Sequence, residues 1–122
     1  MKYPGLLGQD IARVEESRNL NLVVGGIILS SGTLTTTSAN ITADNFSTTA
    51  TSTRELVMGT GTWTITGSGA TAWNVTSTTN LTITPGTSTI SMSSASAKTF
   101  VGGGSTYNCT LQNAGAGALT VD

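Results

Sequence analysis

The stretch Thr62–Ser93, TWTITGSGATAWNVTSTTNLTITPGTSTISMS, constrains the fold more than any other part of the chain. It holds four short runs with apolar side chains two residues apart: Trp63/Ile65, Trp73/Val75, Leu81/Ile83 and Ile90/Met92. Thr, Ser or Asn stands between the members of each pair, and Gly and small polar residues separate the runs. A period of two is that of a half-buried strand. Thr, Val, Ile and Trp also suit a pleated surface. The runs recur too quickly for helices and too regularly for ordinary loops, so the pattern predicts short strands joined by tight corners.

A longer period lies over the short one. Trp63/Ile65 recurs as Ile90/Met92 and Trp73 as Phe100, in both cases after about 27 residues, and Phe46 precedes Trp73 by the same interval. Leu81/Ile83 returns as Cys109/Leu111 at a slightly longer interval, and Leu56/Met58 precedes Leu81/Ile83 by a slightly shorter one. Leu119/Val121 follows Ile90/Met92, again at a slightly longer interval. Three strands per unit with a small jitter predicts an all-β chain, a three-faced parallel β-helix of about 27 residues per coil. A single coil buries too little apolar area to offset its ordering entropy, whereas stacked coils place like residues over like. The expected core ladder is Trp63, Ile65, Trp73, Val75, Leu81, Ile83, Ile90, Met92 and Phe100. An antiparallel sandwich has similar strand spacing but does not require the second period.

The Ser/Thr/Gly-rich pattern sets in at residue 30, which divides the chain into residues 1–29 and a β-solenoid over 30–122. The first part reads as an irregular or short-helical N-terminal docking arm or cap. Asp10 is placed to cap a helix running to Arg18 with Ile11 and Val14 on one face. So short a helix needs something to dock on. Tyr3, Pro4, Leu6, Leu7, Ile11 and Val14 are its candidate assembly residues. Leu20–Leu29, interrupted by Gly25-Gly26, reads as two strands or one bent strand. At the other end Ala118–Asp122 is still in strand phase, with Leu119 and Val121 at core positions. An open strand edge invites another chain, so something outside this segment is expected to cover it.

Chemistry has little material here. Charged residues make up 9% of the 122 residues, Ser and Thr supply 39, and the formal net charge is −1. That balance gives no electrostatic footprint for nucleic acid. No apolar run approaches the roughly 20 residues of a membrane span, and no apolar signal-peptide core follows Met1. With no His and one Cys, neither a His-dependent triad nor a zinc cluster can be assembled. No cofactor or metal is expected. Asp44 and Glu55 are the one imaginable carboxylate pair for glycoside hydrolysis, but Arg54 beside Glu55 reads as its surface ion-pair partner. The expectation is a non-enzymatic protein. Cys109 shares the phase of Tyr107 and Leu111 and reads as a small buried hydrophobe. Gly102–Gly104 reads as a corner needing positive φ, not a phosphate loop.

Two patterns leave other functions open. Asn40, Asn45, Asn74, Asn80 and Asn108 each begin an Asn-X-Ser/Thr sequon, which would suit a self-assembling extracellular filament subunit, a surface glycoprotein of a cell. The same pattern arises where Thr dominates outward strand positions. The triplets at Thr62/Thr64/Thr66, Thr82/Thr84 and Thr87/Thr89 invite an ice-binding reading, but under the long repeat Thr62/Thr64/Thr66 lies over Thr89/Ser91/Ser93 and the array is only partly kept, which favours β-propensity on a solvated face.

The stretch from Ser31 to the end, about three quarters of the chain, carries the segments SSGTLTTTSANITADNF, STRELVMGTGTWTITGSGATAWNV, LTITPGTSTISMS and AKTFVGGGSTYN. In them the chain resembles structural proteins of tailed bacteriophages, those of tail fibres and appendages. The resemblance implies a β-solenoid that trimerises, located in the virion and acting in host attachment. The N-terminal portion would dock on other virion proteins, and a cell-surface glycan would be the receptor. Nucleic acid and membrane are not implied partners.

Overall fold

The computed structural model describes residues 2–3, 6–7 and 21–122, with side chains from Leu22 onward. These residues form strands and corners and no helix. In chain order the strands are β1 (Lys2–Tyr3), β2 (Leu6–Leu7), β3 (Asn21–Val24), β4 (Gly26–Ile28) and β5 (Gly32–Thr35). Then come β6 (Asn40–Ala43), β7 (Asn45–Thr48), β8 (Arg54–Val57), β9 (Thr62–Ile65), β10 (Gly69–Val75) and β11 (Leu81–Thr84). Last are β12 (Thr89–Met92), β13 (Lys98–Val101), β14 (Thr110–Asn113) and β15 (Leu119–Val121).

The strands assemble into three parallel sheets. Sheet A has the order β1-β3-β6-β9-β12-β14, sheet B β15-β13-β10-β7-β4-β2, and sheet C β11-β8-β5. From β3 to β13 the chain visits A, B and C in rotation, and each strand pairs with the one a full circuit earlier. The phase read from the sequence holds. Trp63, Ile65, Trp73, Val75, Ile90, Met92 and Phe100 are all buried. Leu81 and Ile83 are only half-buried, because no described strand pairs with β11 on its far side.

The circuits differ in length. Trp63 pairs with Ile90, Phe46 with Trp73 and Trp73 with Phe100, so the expected interval is real there. Elsewhere it is not. Leu22 pairs with Ile41, Ile41 with Trp63 and Ile90 with Leu111, all shorter steps than that from Trp63 to Ile90. Leu111 therefore continues Ile90's column and not that of Ile83, and Val121 pairs with Phe100 and not with Met92. Leu56 stands opposite Ile83, not Leu81.

The corners explain this. The sheet C to sheet A passage keeps one spacing: Leu34 to Ile41, Leu56 to Trp63 and Ile83 to Ile90 are steps of equal length. The A-to-B passage is short from Ile41 to Phe46 but twice as long from Trp63 to Trp73, and a register shift between Gly69 and Trp73 absorbs part of the insertion. Insertions at solvent-facing corners cost little loop entropy, so circuit length drifts while the ladder is kept.

Strand pairing begins before residue 30. β3 and β4 pair with β6 and β7, and β1 and β2 pair with β3 and β4. This corrects the expected boundary: Tyr3, Leu6 and Leu7 lie in strands paired with β3 and β4, and residues 21–28 carry inward Leu22, Val24 and Ile27. Pro4, Ile11 and Val14, and the helix expected from Asp10 to Arg18, lie outside the described residues.

Candidate functional site

Three surfaces bear on function: the packed interior, the corners and the outer faces. The interior is organised by aromatic rings. Trp73 packs against Phe46 with centroids 4.5 Å apart, Phe100 at 5.4 Å and Trp63 at 5.9 Å. Tyr107 approaches Phe100 edge-on at 5.0 Å. Edge-to-face and offset pairs of this kind add to the area term. Tyr107, half-buried, packs against the core between β13 and β14, where no strand continues sheet C. Its hydroxyl accepts from Trp73 Nε1 and donates to Gly102 O, both at 3.3 Å. Burial pushes its pKa up, opposed by the Trp73 N–H. Neighbouring Cys109 is half-buried, and desolvation likewise raises its thiol pKa, opposed by the hydrogen bond with Ser88.

The corners hold what the sequence pattern missed. Arg54 is not the surface partner of Glu55: it is 1% exposed. Its position is an inward one, in register with Leu81, so Glu55 points the other way. The guanidinium donates to Thr48 Oγ1 at 2.6 Å, to Ser52 O at 2.8 Å, and to Ser77 O and Thr79 O of the next circuit at 3.3 and 2.5 Å. Lys98, also 1% exposed, donates to Ser94 O and Gly117 O, both at 2.8 Å. Each cation opens the strand after a long corner and ties carbonyls of adjacent circuits together. No signal in the local sequence distinguishes these two from surface cations.

Replacing a buried ion pair by an apolar residue can be neutral, but here the acceptors would remain. Arg54→Met should therefore cost about 2–4 kcal/mol, because three backbone carbonyls lose their donor. Urea unfolding reads this directly; a loss below about 1 kcal/mol would mean that water replaces the guanidinium at no cost.

The outer faces are almost uncharged. With Arg54 and Lys98 inside, the charged side chains reaching the surface among residues 22–122 are the carboxylates Asp44, Glu55 and Asp122. Asp44 sits in a corner between sheets A and B and accepts from Thr66 Oγ1 at 3.0 Å. Glu55 stands on the outer face of sheet C, 3.4 Å from Thr33 Oγ1. The structure does not bring the two together over one cleft. Thr62 and Thr64 lie beside Thr89 and Ser91 as the long repeat requires, and the next strand continues them as Thr110 and Gln112. Of the sequon asparagines, Asn40, Asn80 and Asn108 are exposed, whereas Asn45 and Asn74 are half-buried. Of Gly102–Gly104, Gly103 and Gly104 take positive φ.

Comparison with protein-family models, with curated proteins and with solved structures finds no match.

Proposed function

We propose that the protein is a non-enzymatic structural element, a three-faced β-solenoid forming part of a bacteriophage tail fibre or appendage. The observation that supports this reading best is the rotation of the chain through three parallel sheets around one continuous aromatic and aliphatic ladder. Such a ladder makes a stiff rod whose length grows with each circuit and whose outer faces stay free to vary. The circuit length is set by the corners and varies between the short step from Leu22 to Ile41 and the long one from Trp63 to Ile90. The N-terminal portion attaches the rod to other virion proteins, the assembly is a homotrimer, and a cell-surface glycan is the receptor. An almost uncharged Thr/Ser exterior supports side-by-side association, since no charge has to be desolvated when copies meet.

The test is the composition and contact map of purified phage particles. The expected result is this chain beside capsid and portal proteins, with its N-terminal residues at the contact to its neighbour. Recovery instead from a cell surface, with glycan mass on Asn40, Asn80 or Asn108, would replace this reading with a cellular filament.

A further inference from the structure

We infer that Gly102–Cys109 is a built-in strap, anchored by Tyr107, that guards the open edge of β11 and keeps strands of other chains from adding to sheet C. The inference concerns how the fold protects itself and does not depend on the fibre reading.

The passages from sheet B to sheet A after β4, β7 and β10 each contain a sheet C strand: β5, β8 and β11. The passage after β13, Gly102–Cys109, is shorter than any of them and contains none. It is nevertheless fastened on both sides of β11. Before β11, the Gly103 backbone sits against the third circuit with φ +67, where an added Cβ would fall 2.3 Å from Val75 O and 3.2 Å from Thr78 Cγ2. Beyond β11, Thr110 N donates to Ser88 O at 3.2 Å. Between these points the Tyr107 ring packs edge-on against Phe100 and Trp73, at 5.0 and 6.3 Å. Its hydroxyl is tied to Trp73 and to Gly102 at the start of the strap.

β11 is an edge that needs a guard. Arg54 N and Met58 N donate to Asn80 O and Thr84 O, both at 2.9 Å. In this parallel ladder Leu81 and Ile83 therefore turn their own backbone groups away from β8. Among the described residues no strand pairs with β11 on that side. The Ile83 side chain is half-buried, whereas Leu34 and Leu56 in the same column are fully buried. Unpaired backbone beside partly exposed apolar side chains is a template for another chain's strand. Natural edges are guarded by charge, by proline or by a covering loop. β11, Leu-Thr-Ile-Thr, carries neither charge nor proline, which leaves the strap in that role.

The test removes the anchor and then supplies a guard of another kind. Tyr107→Ala should self-associate beyond the wild-type state, read by sedimentation over a concentration series, while circular dichroism shows its strand content kept. Adding Thr84→Lys, at an exposed outward position of β11, should return the double variant to the wild-type species, because a lysine on an edge strand blocks pairing. Aggregation through unfolding would not be reversed by one surface lysine. Gly103→Ala is the second route: its Cβ would meet Val75 O and lift the strap with Tyr107 intact. It should associate in the same way, and it carries the test where Tyr107→Ala does not fold. Folded variants that sediment as wild type, or an association that Thr84→Lys leaves unchanged, overturn the inference and leave the fibre reading standing.

Discussion

Trp73→Ala should be among the most damaging single substitutions in the protein, lowering unfolding free energy by about 3–5 kcal/mol. Trp73 is fully buried and touches ring systems from three other circuit positions, Phe46, Phe100 and Trp63, besides Tyr107. Truncation leaves a cavity that the ladder cannot collapse into, because the strands on either side are fixed by backbone pairing. It also strands the Tyr107 hydroxyl without the indole N–H. The comparison is Thr64→Ala on the outer face of sheet A, which should change stability by no more than about 0.5 kcal/mol. Denaturant unfolding of both variants checks the prediction. Equal, small losses would mean that the interior is not packed on Trp73.

Gly59→Ala should be comparably severe for a backbone reason. Gly59 lies in the C-to-A corner of constant length with φ +70, directly over Thr37 of the preceding circuit, and an added Cβ would fall 1.7 Å from Thr37 O. The obstructing atom is backbone and cannot rotate away. Thr37 and Gly86 occupy equivalent corner positions and also have positive φ, at 37 and 61, so the corners stack as a column. Overpacking and left-handed strain together predict a loss of about 3 kcal/mol or more. Gly32 and Gly104 separate the two causes. Both have positive φ, at +77 and +76, with nothing within 4 Å of a Cβ. Alanine at either should cost only about 1 kcal/mol from strain. If Gly59→Ala costs no more than Gly32→Ala, the circuits are not in contact at this corner.

The inward and outward phase of nearly every strand was legible in the sequence, because it depends only on side chains two residues apart on one extended segment. Trp63/Ile65 and Ile90/Met92 needed no partner to declare which way they point. The long repeat was legible where two successive circuits have corners of equal length, as between Phe46, Trp73 and Phe100. It failed at Leu111 and Val121, where register is decided by pairing across the circuits and a solvent-facing corner can change length without disturbing a buried side chain. The early strands at Asn21–Val24 and Gly26–Ile28 join the same ladders although their composition differs from the Ser/Thr-rich remainder, since backbone pairing does not read composition.

Arg54 and Lys98 mark the same limit in electrostatics. In sequence each is a cation among Ser and Thr. In the fold each meets carbonyls contributed by segments distant along the chain, Ser77 and Thr79 for Arg54 and Gly117 for Lys98. A charge is driven outward unless acceptors are assembled around it. Only the stacking of corners, a tertiary event, brings those acceptors together. Local alternation thus determined which residues form the core, while the lengths of the corners and the burial of the two cations were decided by contacts between circuits.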